Sequence, residues 1–274
     1  MIYKATEPIY FVGDLHGNFH WLKAYIERYN LTNCSLVFCG DVGLGFRDLN
    51  SWFGWIQGLK LDKCLKKRKI ECFFVRGNHD NPNWFDDKTL TTSIFKAVSD
   101  YSVISTDSHN ILCVGGGISI DRSDRRIQNQ LAIHRYLKYH PHATVAEAKV
   151  LGGQEWWENE PPFFDETAIS KLTLQIDTVC SHVAPTWLPP EPIWAKTKWT
   201  EVDPDLNQDC LEERQVLDKV LETLSQNQHP LANVFYGHYH RYLTTEARGI
   251  TGHLLDMARD GNLCMKELHD AGEF

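Results

Sequence analysis

The sequence has no long apolar run, since no stretch approaches the roughly 20 consecutive apolar residues that span a bilayer. Its first eight residues lack the basic and then apolar pattern of a secretion signal. Positive charge is not in excess either, because 28 lysines and arginines stand against 36 aspartates and glutamates. We therefore expect a soluble, cytoplasmic protein without a membrane partner. The net charge of −8 argues against an unspecific nucleic-acid binder.

The eight cysteines include no C-x-x-C pair, which is the spacing typical of zinc and redox sites. They are scattered along the chain, and most of them lie in apolar stretches. This pattern predicts reduced thiols inside the core and argues against a disulfide framework. We also expect no disulfide-linked partner.

The chain of 274 residues is long enough for a sizeable core, and its composition, 42 % hydrophobic, is ordinary for a globular protein. Strand-like and helix-like stretches alternate, which predicts an α/β fold. We interpret residues 1–274 as a single domain with insertions at about 121–165 and 183–206. The second insertion is rich in proline and tryptophan, as loops that cover a binding site often are. Residues 242–265 are expected to form a terminal hairpin.

Polar side chains directly follow several apolar, strand-like stretches. The five polar motifs, each given with the apolar stretch before it, are Gly13-Asp14-Leu15-His16 after Ile9–Val12, Gly40-Asp41 after Leu36–Cys39, Gly77-Asn78-His79-Asp80 after Ile70–Val75, Ser181-His182 after Ile176–Cys180, and Gly237-His238-Tyr239-His240 after Val234–Tyr236. A short apolar run that ends in glycine is typical of a buried strand. The repetition predicts that these polar side chains meet at one edge of a sheet.

The chemistry of these side chains indicates a metal site. Carboxylate, imidazole and amide ligands together suit a first-row divalent ion such as Mn, Fe or Zn. In an extended segment, residues i and i+2 point to the same side. Asp14 and His16 can therefore bind one ion together, as can His238 and His240, or each can serve a different ion. Without cysteine, this donor set suits an open catalytic site better than a closed structural zinc site.

The ordered motifs, which run from residue 13 to residue 240, resemble those of the calcineurin-like metallophosphoesterase superfamily. The stretch Gly115–Arg122 and the pair Trp156-Trp157 resemble small members from bacteria and phages. The resemblance implies a four-layer α/β/β/α sandwich, in which two mixed sheets are flanked by helices. It also implies a metal-dependent phosphoester hydrolase with two divalent ions and a metal-bridging hydroxide as nucleophile. Mn is the expected ion, and Fe, Zn, Ni and Mg are alternatives.

The resemblance also implies a role for individual residues. The metal ligands are Asp14, His16 and His240 at the first ion, Asp41 between the two ions, and Asn78, His182 and His238 at the second ion. His79 is the general acid that protonates the leaving oxygen, and Asp80 orients it. Arg76 matches an arginine that grips two phosphate oxygens in the phosphoprotein-phosphatase branch.

The second motif departs from that branch, which continues it as Gly-Asp-x-x-Asp-Arg-Gly. This chain has Gly40-Asp41-Val42-Gly43-Leu44-Gly45 instead. The second phosphate-binding arginine is therefore missing from its usual place. Arg47, Arg122, Arg125 and Arg126 are candidates to replace it.

The substrate class is left open between two kinds of phosphoester. Arg76 favours hydrolysis of a phosphomonoester, either a phosphoprotein, as in Ser/Thr protein phosphatases, or a small phosphorylated molecule. The missing arginine and the aromatic loop favour a phosphodiesterase or nuclease that acts on nucleotides or nucleic acid. The alternative of another class is a catalytically inactive scaffold that binds partners. Because every ligand position is filled, we expect an enzyme.

Overall fold

The computed structural model describes residues 1–151, 153–190 and 198–269, and within them the strands form two sheets. The seven-stranded sheet has the order β1 (Ile2–Lys4), β6 (Val103–Ser105), β7 (Asn110–Val114), β8 (Thr178–Ser181), β9 (Asn233–Tyr236), β11 (Ile250–Leu254) and β10 (Leu243–Ala247). The five-stranded sheet has the order β12 (Met265–Glu267), β2 (Ile9–Val12), β3 (Cys34–Phe38), β4 (Ile70–Phe74) and β5 (Phe95–Ala97). Both sheets mix parallel and antiparallel pairs.

The described residues form eight α-helices. They are α1 (Phe19–Arg28), α2 (Leu49–Gly58), α3 (Leu61–Arg68), α4 (Arg122–Tyr139), α5 (Val145–Leu151), α6 (Glu166–Ser170), α7 (Trp199–Val202) and α8 (Leu206–Gln226). Helices α1, α2 and α3 share a hydrophobic core with the outer face of the five-stranded sheet. Helices α6 and α8 share another core with the seven-stranded sheet.

A third hydrophobic core lies between the two sheets. There Phe11 of β2 stacks on Phe235 of β9, with ring centroids 3.7 Å apart. Alternate residues of the central strands point into this inner core and into the outer cores, so these strands are buried on both faces. This double burial explains why they are continuous apolar runs in the sequence. The predicted α/β/β/α sandwich is confirmed.

Parallel pairing brings the motif-bearing strand ends to one edge of the molecule. Strands β2, β3 and β4 are parallel neighbours in one sheet, and β8 and β9 are parallel neighbours in the other. The ends of the two sheets also meet, because His182 after β8 lies 2.7 Å from the carbonyl oxygen of Cys39 after β3. All five polar motifs therefore surround one site.

The C-terminal region differs from the predicted hairpin. Strands β10 and β11 pair as expected, but the chain then crosses to the other sheet, where β12 pairs antiparallel with β2. On the way, the N–H of Ala258 donates to the carbonyl of Asp14 over 2.7 Å. The crossing covers the edge of the five-stranded sheet, which would otherwise present unpaired backbone groups.

Other sequence predictions concern the cysteines, membrane-spanning helices and the two insertions. All eight cysteines are free, and six of them are buried. Among the described residues, none of the helices has the length and apolar character needed to cross a membrane. Helices α4 and α5 lie in the first predicted insertion. Part of the second one, residues 191–197, falls outside the described residues.

Candidate metal centre

The structure brings together every residue that the sequence analysis assigned to the metals. They follow five strands: Asp14 and His16 after β2, Asp41 after β3, Asn78 after β4, His182 after β8, and His238 and His240 after β9. Their donor atoms form two groups of different exposure.

The first group, which we call the open subsite, consists of Asp14, His16 and His240. One donor atom from each lies within 4.8 Å of the other two. The Nε2 atom of His240 is 3.2 Å from Oδ2 of Asp14 and 3.1 Å from Nε2 of His16. The Asp14 side chain is fully buried, whereas those of His16 and His240 are 20 % and 39 % exposed. This subsite is therefore in contact with solvent.

The second group, which we call the buried subsite, consists of Asn78, His182 and His238. The Nε2 atom of His182 is 2.9 Å from Oδ1 of Asn78 and 3.2 Å from Nδ1 of His238. The His182 side chain is fully buried, and Asn78 is 3 % exposed.

Asp41 lies between the two subsites. Its Oδ1 is 3.3 Å from Nε2 of His182, and its Oδ2 is 3.8 Å from Nε2 of His16. Burial disfavours the charge of Asp41, but His182, His79 and His16 outweigh it and hold the pKa of this carboxyl well below its usual range. A carboxylate with one oxygen toward each subsite is suited to bridge two cations.

The donor atoms of the buried subsite fit a cation. The Nδ1–H of His182 donates to the carbonyl of Cys39, so Nε2 is the ring atom that faces the oxygens of Asn78 and Asp41. Burial disfavours a proton on His182, but Asp41 and Asp14 outweigh it and raise the pKa of His182 to about 10. Several acceptors thus converge where positive charge is strongly favoured. The mixed oxygen and nitrogen donors suit a first-row divalent ion.

The backbone at four of these residues is strained in a way that the sequence does not reveal. His16, Asp41, His238 and His240 have φ values of 46°, 49°, 70° and 50°. Residues other than glycine rarely adopt such angles. Each strained residue costs about 1–3 kcal/mol, and the conformation persists only because the surrounding structure imposes it. Strain of this kind is concentrated at functional sites.

The glycines of the motifs allow neighbouring loops to approach closely. A Cβ atom at Gly77 would collide with the backbone and carboxylate of Asp41, and one at Gly237 would collide with the carboxylate of Asp14. Any larger residue would therefore push a candidate ligand out of place.

His79 lies beside both subsites. Its Nε2 is 4.0 Å from Oδ2 of Asp41 and 3.3 Å from Nη2 of Arg125. Burial lowers the pKa of His79, Arg125 lowers it further, and Asp41 opposes both. Because His79, His16 and Asp41 also present donor atoms within 4.8 Å of one another, His79 is a candidate ligand as well as a candidate acid.

Asp80 does not have the predicted contact with His79. Its buried carboxylate accepts from the backbone N–H groups of Gly77, Gly43 and Leu44, at 2.8, 2.8 and 2.9 Å. These donors use its oxygens, and the carboxylate ties the loop after β3 to the turn after β4. We correct the prediction accordingly: Asp80 holds the Asp41 loop in place, whereas the His79 ring meets Arg125.

Arg76 is also placed differently from the prediction. It is 3 % exposed, and its guanidinium forms a salt bridge with Asp100 at 2.9 Å. It also donates to the carbonyls of Glu160, Asn159 and Gly115 at 2.6, 3.2 and 3.3 Å. A buried guanidinium with these acceptors is not available to grip a phosphate, so the predicted Arg76 clamp is wrong for this geometry.

The candidate replacement arginines also differ in their availability. Arg122 forms salt bridges with Asp203 and Asp209, both at 2.6 Å, and is only 8 % exposed. Arg126 lies over the ring of Trp156, with its Cζ 4.4 Å from the centroid. Arg122 is therefore not free to bind a substrate, whereas Arg126 is exposed and stacks on this tryptophan.

Arg125 lies next to the site. Its Nε forms a salt bridge with Asp121 at 2.6 Å, which leaves Nη2 near His79. It projects from α4, inside the predicted first insertion, and the sequence analysis offered it only as one of four candidates.

Two cavities flank the metal centre. The arginine cavity, of about 380 Å³, is lined by Arg125, Arg241, Trp199 and Tyr239, together with residues of both subsites. The tryptophan cavity, of about 450 Å³, is lined by Phe46, Arg47, Trp52 and Trp55, together with His16. His79 lines both cavities. Sequence reasoning missed Arg241, although this arginine directly follows His240, and that adjacency to the last motif is the signal that could have found it.

The sequence and the structure were compared with known proteins. The model of the calcineurin-like phosphoesterase family matches residues 7–242. A search of curated protein sequences finds no significant match.

Among solved structures, the chain is similar to phosphopantetheinyl hydrolase from Mycobacterium tuberculosis, with 12 % identity, a TM-score of 0.41 and coverage of 98 % of both chains. GAP50, the anchor in the inner membrane complex of Plasmodium, has 12 % identity and a TM-score of 0.39, over 91 % of this chain and 71 % of that one. A mutant cold-active protein tyrosine phosphatase has 12 % identity and a TM-score of 0.30, over 92 % and 72 %.

Proposed function

We propose that this chain, which belongs to the calcineurin-like phosphoesterase family and is therefore a metal-dependent phosphoester hydrolase, acts on phosphomonoesters. The observation that carries the proposal is the convergence of seven side chains with oxygen and nitrogen donors on two adjoining subsites, beside the contacting pair His79 and Arg125. Arg125 is also held by Asp121 and by the carbonyl of Glu155. The substrate is a phosphoprotein or a small phosphorylated molecule, and the support for this class comes from the arginines of the arginine cavity, since the predicted Arg76 clamp is lost.

In this proposal, one ion is held by the open subsite, a second by the buried subsite, and Asp41 reaches both through its two oxygens. When bound, the two ions supply Lewis-acid activation of water and of the phosphate oxygens. Mn²⁺ is the ion that we expect, and Fe, Zn, Ni and Mg are the alternatives.

His79 donates a proton to the leaving oxygen. In the free protein, burial lowers its pKa, which favours the neutral ring. A phosphate anion bound beside the ring has the opposite effect, because a nearby negative charge favours imidazolium. Replacing His79 by Ala should slow hydrolysis by about 100- to 10,000-fold for esters with a poor leaving group. The loss should be smaller for p-nitrophenyl esters, whose leaving group needs no proton.

Arg125 takes the role that Arg76 cannot fill. A phosphomonoester is a dianion near neutral pH, and the arginine cavity offers two guanidinium groups, Arg125 and Arg241, next to Asn78 and His79. Hydrogen bonds from a guanidinium to phosphate oxygens are among the strongest in proteins. These charges support a monoester substrate although the chain as a whole is acidic.

A second candidate function is phosphodiester hydrolysis. The observation that favours it is that both cavities meet at His79. A diester has two organic groups on the phosphorus, and each group would have a cavity of its own.

The test is turnover with Mn²⁺ on p-nitrophenyl phosphate and bis-p-nitrophenyl phosphate. We expect preference for the monoester, and an increase of about 10- to 100-fold in its KM in Arg125→Ala, because hydrogen bonds to charged groups contribute about 1.5–3 kcal/mol. Arg126→Ala is the matched control, since it removes the next guanidinium of the same helix, which stacks on Trp156.

Preference for the diester would overturn the monoesterase proposal in favour of the second candidate. An absence of turnover on both esters, with two ions bound per chain, would support the scaffold alternative.

A further inference from the structure

A buried chain of hydrogen bonds leads from the buried subsite to Glu160, which belongs to none of the strand-end motifs. The Nδ2 of Asn78 donates to Oγ of Ser119 over 3.1 Å, and that hydroxyl donates to Oε2 of Glu160 over 2.9 Å. The backbone N–H of Ser119 donates to Oε1 of Glu160 over 2.8 Å. Asn78, Ser119 and Glu160 are 3 %, 1 % and 1 % exposed, so water does not compete for these groups.

The direction of these hydrogen bonds follows from the donors available. When Glu160 is ionised, its carboxylate can only accept, so the single proton of the Ser119 hydroxyl goes to Glu160. Burial raises the pKa of Glu160 to about 7, so this direction applies above that pH, where the metal titrations below are made. The Ser119 oxygen then has only lone pairs for Asn78, and these accept from its NH₂ group. The opposite end of the amide, Oδ1, is thereby directed to Nε2 of His182 and the buried subsite.

This direction matters because the two ends of an asparagine amide have nearly the same shape. Without a partner of defined polarity, the Asn78 amide can turn over and present its NH₂ group to the cation. An NH₂ group carries no lone pair suited to a metal ion, so the inverted amide is not a ligand.

Glu160 is itself held by Arg76. The carbonyl of Glu160 accepts from Nη1 of Arg76 over 2.6 Å and from the N–H of Gly117 over 3.0 Å. Asp100 anchors the guanidinium from another direction, at 2.9 Å. Arg76 thus keeps the Glu160 segment beneath Asn78.

We propose that Ser119 and Glu160 are positioning residues that orient the amide of Asn78, so that its oxygen faces the ion of the buried subsite. The proposal rests on the ligand role that the proposed function gives to Asn78. Neither residue touches the reacting atoms, and both act through the amide.

The test is a calorimetric titration of the metal-free protein with Mn²⁺, using Glu160→Gln. The glutamine amide can donate to Ser119, whose proton is then free to turn toward Asn78 and invert its amide. We expect the affinity for one of the two ions to fall by about 10- to 100-fold, the size typical of losses around a metal site. Ser119→Ala should have a similar effect, and it is the variant to use if Glu160→Gln does not fold.

The control variant is Glu213→Gln. Glu213 is another buried carboxylate nearby, which accepts from the N–H of Ile118 over 2.6 Å and so lies next to the chain of hydrogen bonds without being part of it. This substitution should change the Mn²⁺ affinity by less than about threefold, in contrast to the larger effect of a group that orients a ligand.

A double-mutant cycle separates positioning from a general structural effect. In the background of Asn78→Ala, adding Glu160→Gln should not lower the Mn²⁺ affinity further. Equal losses in both backgrounds, or unchanged affinity in Glu160→Gln alone, would overturn the proposal. If Asn78→Ala alone binds both ions like the wild type, the ligand assignment of the proposed function fails instead.

Discussion

The open and the buried subsite contain similar ligand chemistry in very different surroundings. In the open subsite, the rings of His16 and His240 are 20 % and 39 % exposed. In the buried subsite, the ring of His182 is fully enclosed and Asn78 is 3 % exposed. Charges interact more strongly away from water, so we expect the buried subsite to hold its ion more tightly, although it has the neutral Asn78 amide where the open subsite has the Asp14 carboxylate.

The two subsites also differ in what lies behind their ligands. His182 is fixed by its hydrogen bond to Cys39, and Asn78 by its hydrogen bond to Ser119. The ring of His240 contacts other candidate ligands, Asp14 and His16. In the proposed function, one ion is therefore bound in the interior of the protein and the other at its solvent-facing surface.

The largest loss of activity is expected when the residue that both subsites share, Asp41, is replaced. Asp41→Asn deprives both ions of a carboxylate oxygen, and the carboxylate contributes several kcal/mol through the metals. We expect kcat to fall by about 1,000-fold or more, which corresponds to about 4 kcal/mol. The measurement is turnover of p-nitrophenyl phosphate at saturating Mn²⁺, together with the number of ions bound per chain. A variant that retains two tightly bound ions and more than a tenth of the activity would contradict the bridging role.

The support behind the buried subsite is tested by Arg76→Ala. The substitution leaves Asp100 without its partner and frees the carbonyl of Glu160. Removing one member of a buried ion pair costs about 3–5 kcal/mol, so we expect the free energy of unfolding in urea to fall by that amount. The KM of the protein that remains folded should change little. Unchanged stability with a raised KM would instead restore the predicted phosphate clamp.

The difference in affinity between the subsites can be measured with single alanine variants. We expect His182→Ala to lower the affinity for one Mn²⁺ by about 100-fold, and His240→Ala to lower it by about 10-fold, both on the order of the losses seen around metal sites. Calorimetric titration measures both, and competition with a chelator should remove the ion of the open subsite first. His142→Ala, which changes an exposed histidine between α4 and α5, is the control. Equal losses in the two variants would mean that burial does not distinguish the subsites.

The last expected effect concerns pH. Glu213 lies behind the buried subsite, where burial raises its pKa from the usual 4.5 to about 8. Between these values, the folded metal-free protein keeps a proton that the unfolded chain has lost, so stability falls as the pH rises from about 4.5 to 8. One proton corresponds to a slope of about 1.4 kcal/mol per pH unit at most. Urea denaturation of Glu213→Gln should give a shallower slope over this range than the wild type does, and equal slopes would exclude the effect.

The sequence was most informative about the strand ends. The apolar runs before Asp14, Asp41 and Asn78 are strands β2, β3 and β4, because strands buried on both faces must be apolar throughout. Parallel strands bring their carboxyl ends to one edge, so polar residues that follow several strands are neighbours in space. The positions of the motifs therefore predicted the group of residues at the candidate metal centre, whereas the sandwich was predicted from the resemblance to the calcineurin-like family.

Sequence reasoning failed where a role depends on distant partners. Arg76 adjoins the Gly77-Asn78 motif, yet its acceptors come from Asp100, Gly115 and residues 159–161. Asp80 adjoins His79, yet its donors come mainly from the loop after β3. Proximity in sequence suggested functional contacts for both residues, but the direction of each side chain depends on what packs around it.

The sequence by itself determined the donor chemistry of the site, since residue type and position after an apolar strand are properties of the chain alone. Only the tertiary structure decided which donors are buried, which arginine stays available, and which residues support Asn78. Burial, dielectric environment and hydrogen-bond direction arise when residues far apart in sequence are packed together, such as Ser119 and Glu160 beneath Asn78. These properties separate the two subsites although both are built from nearly the same side chains.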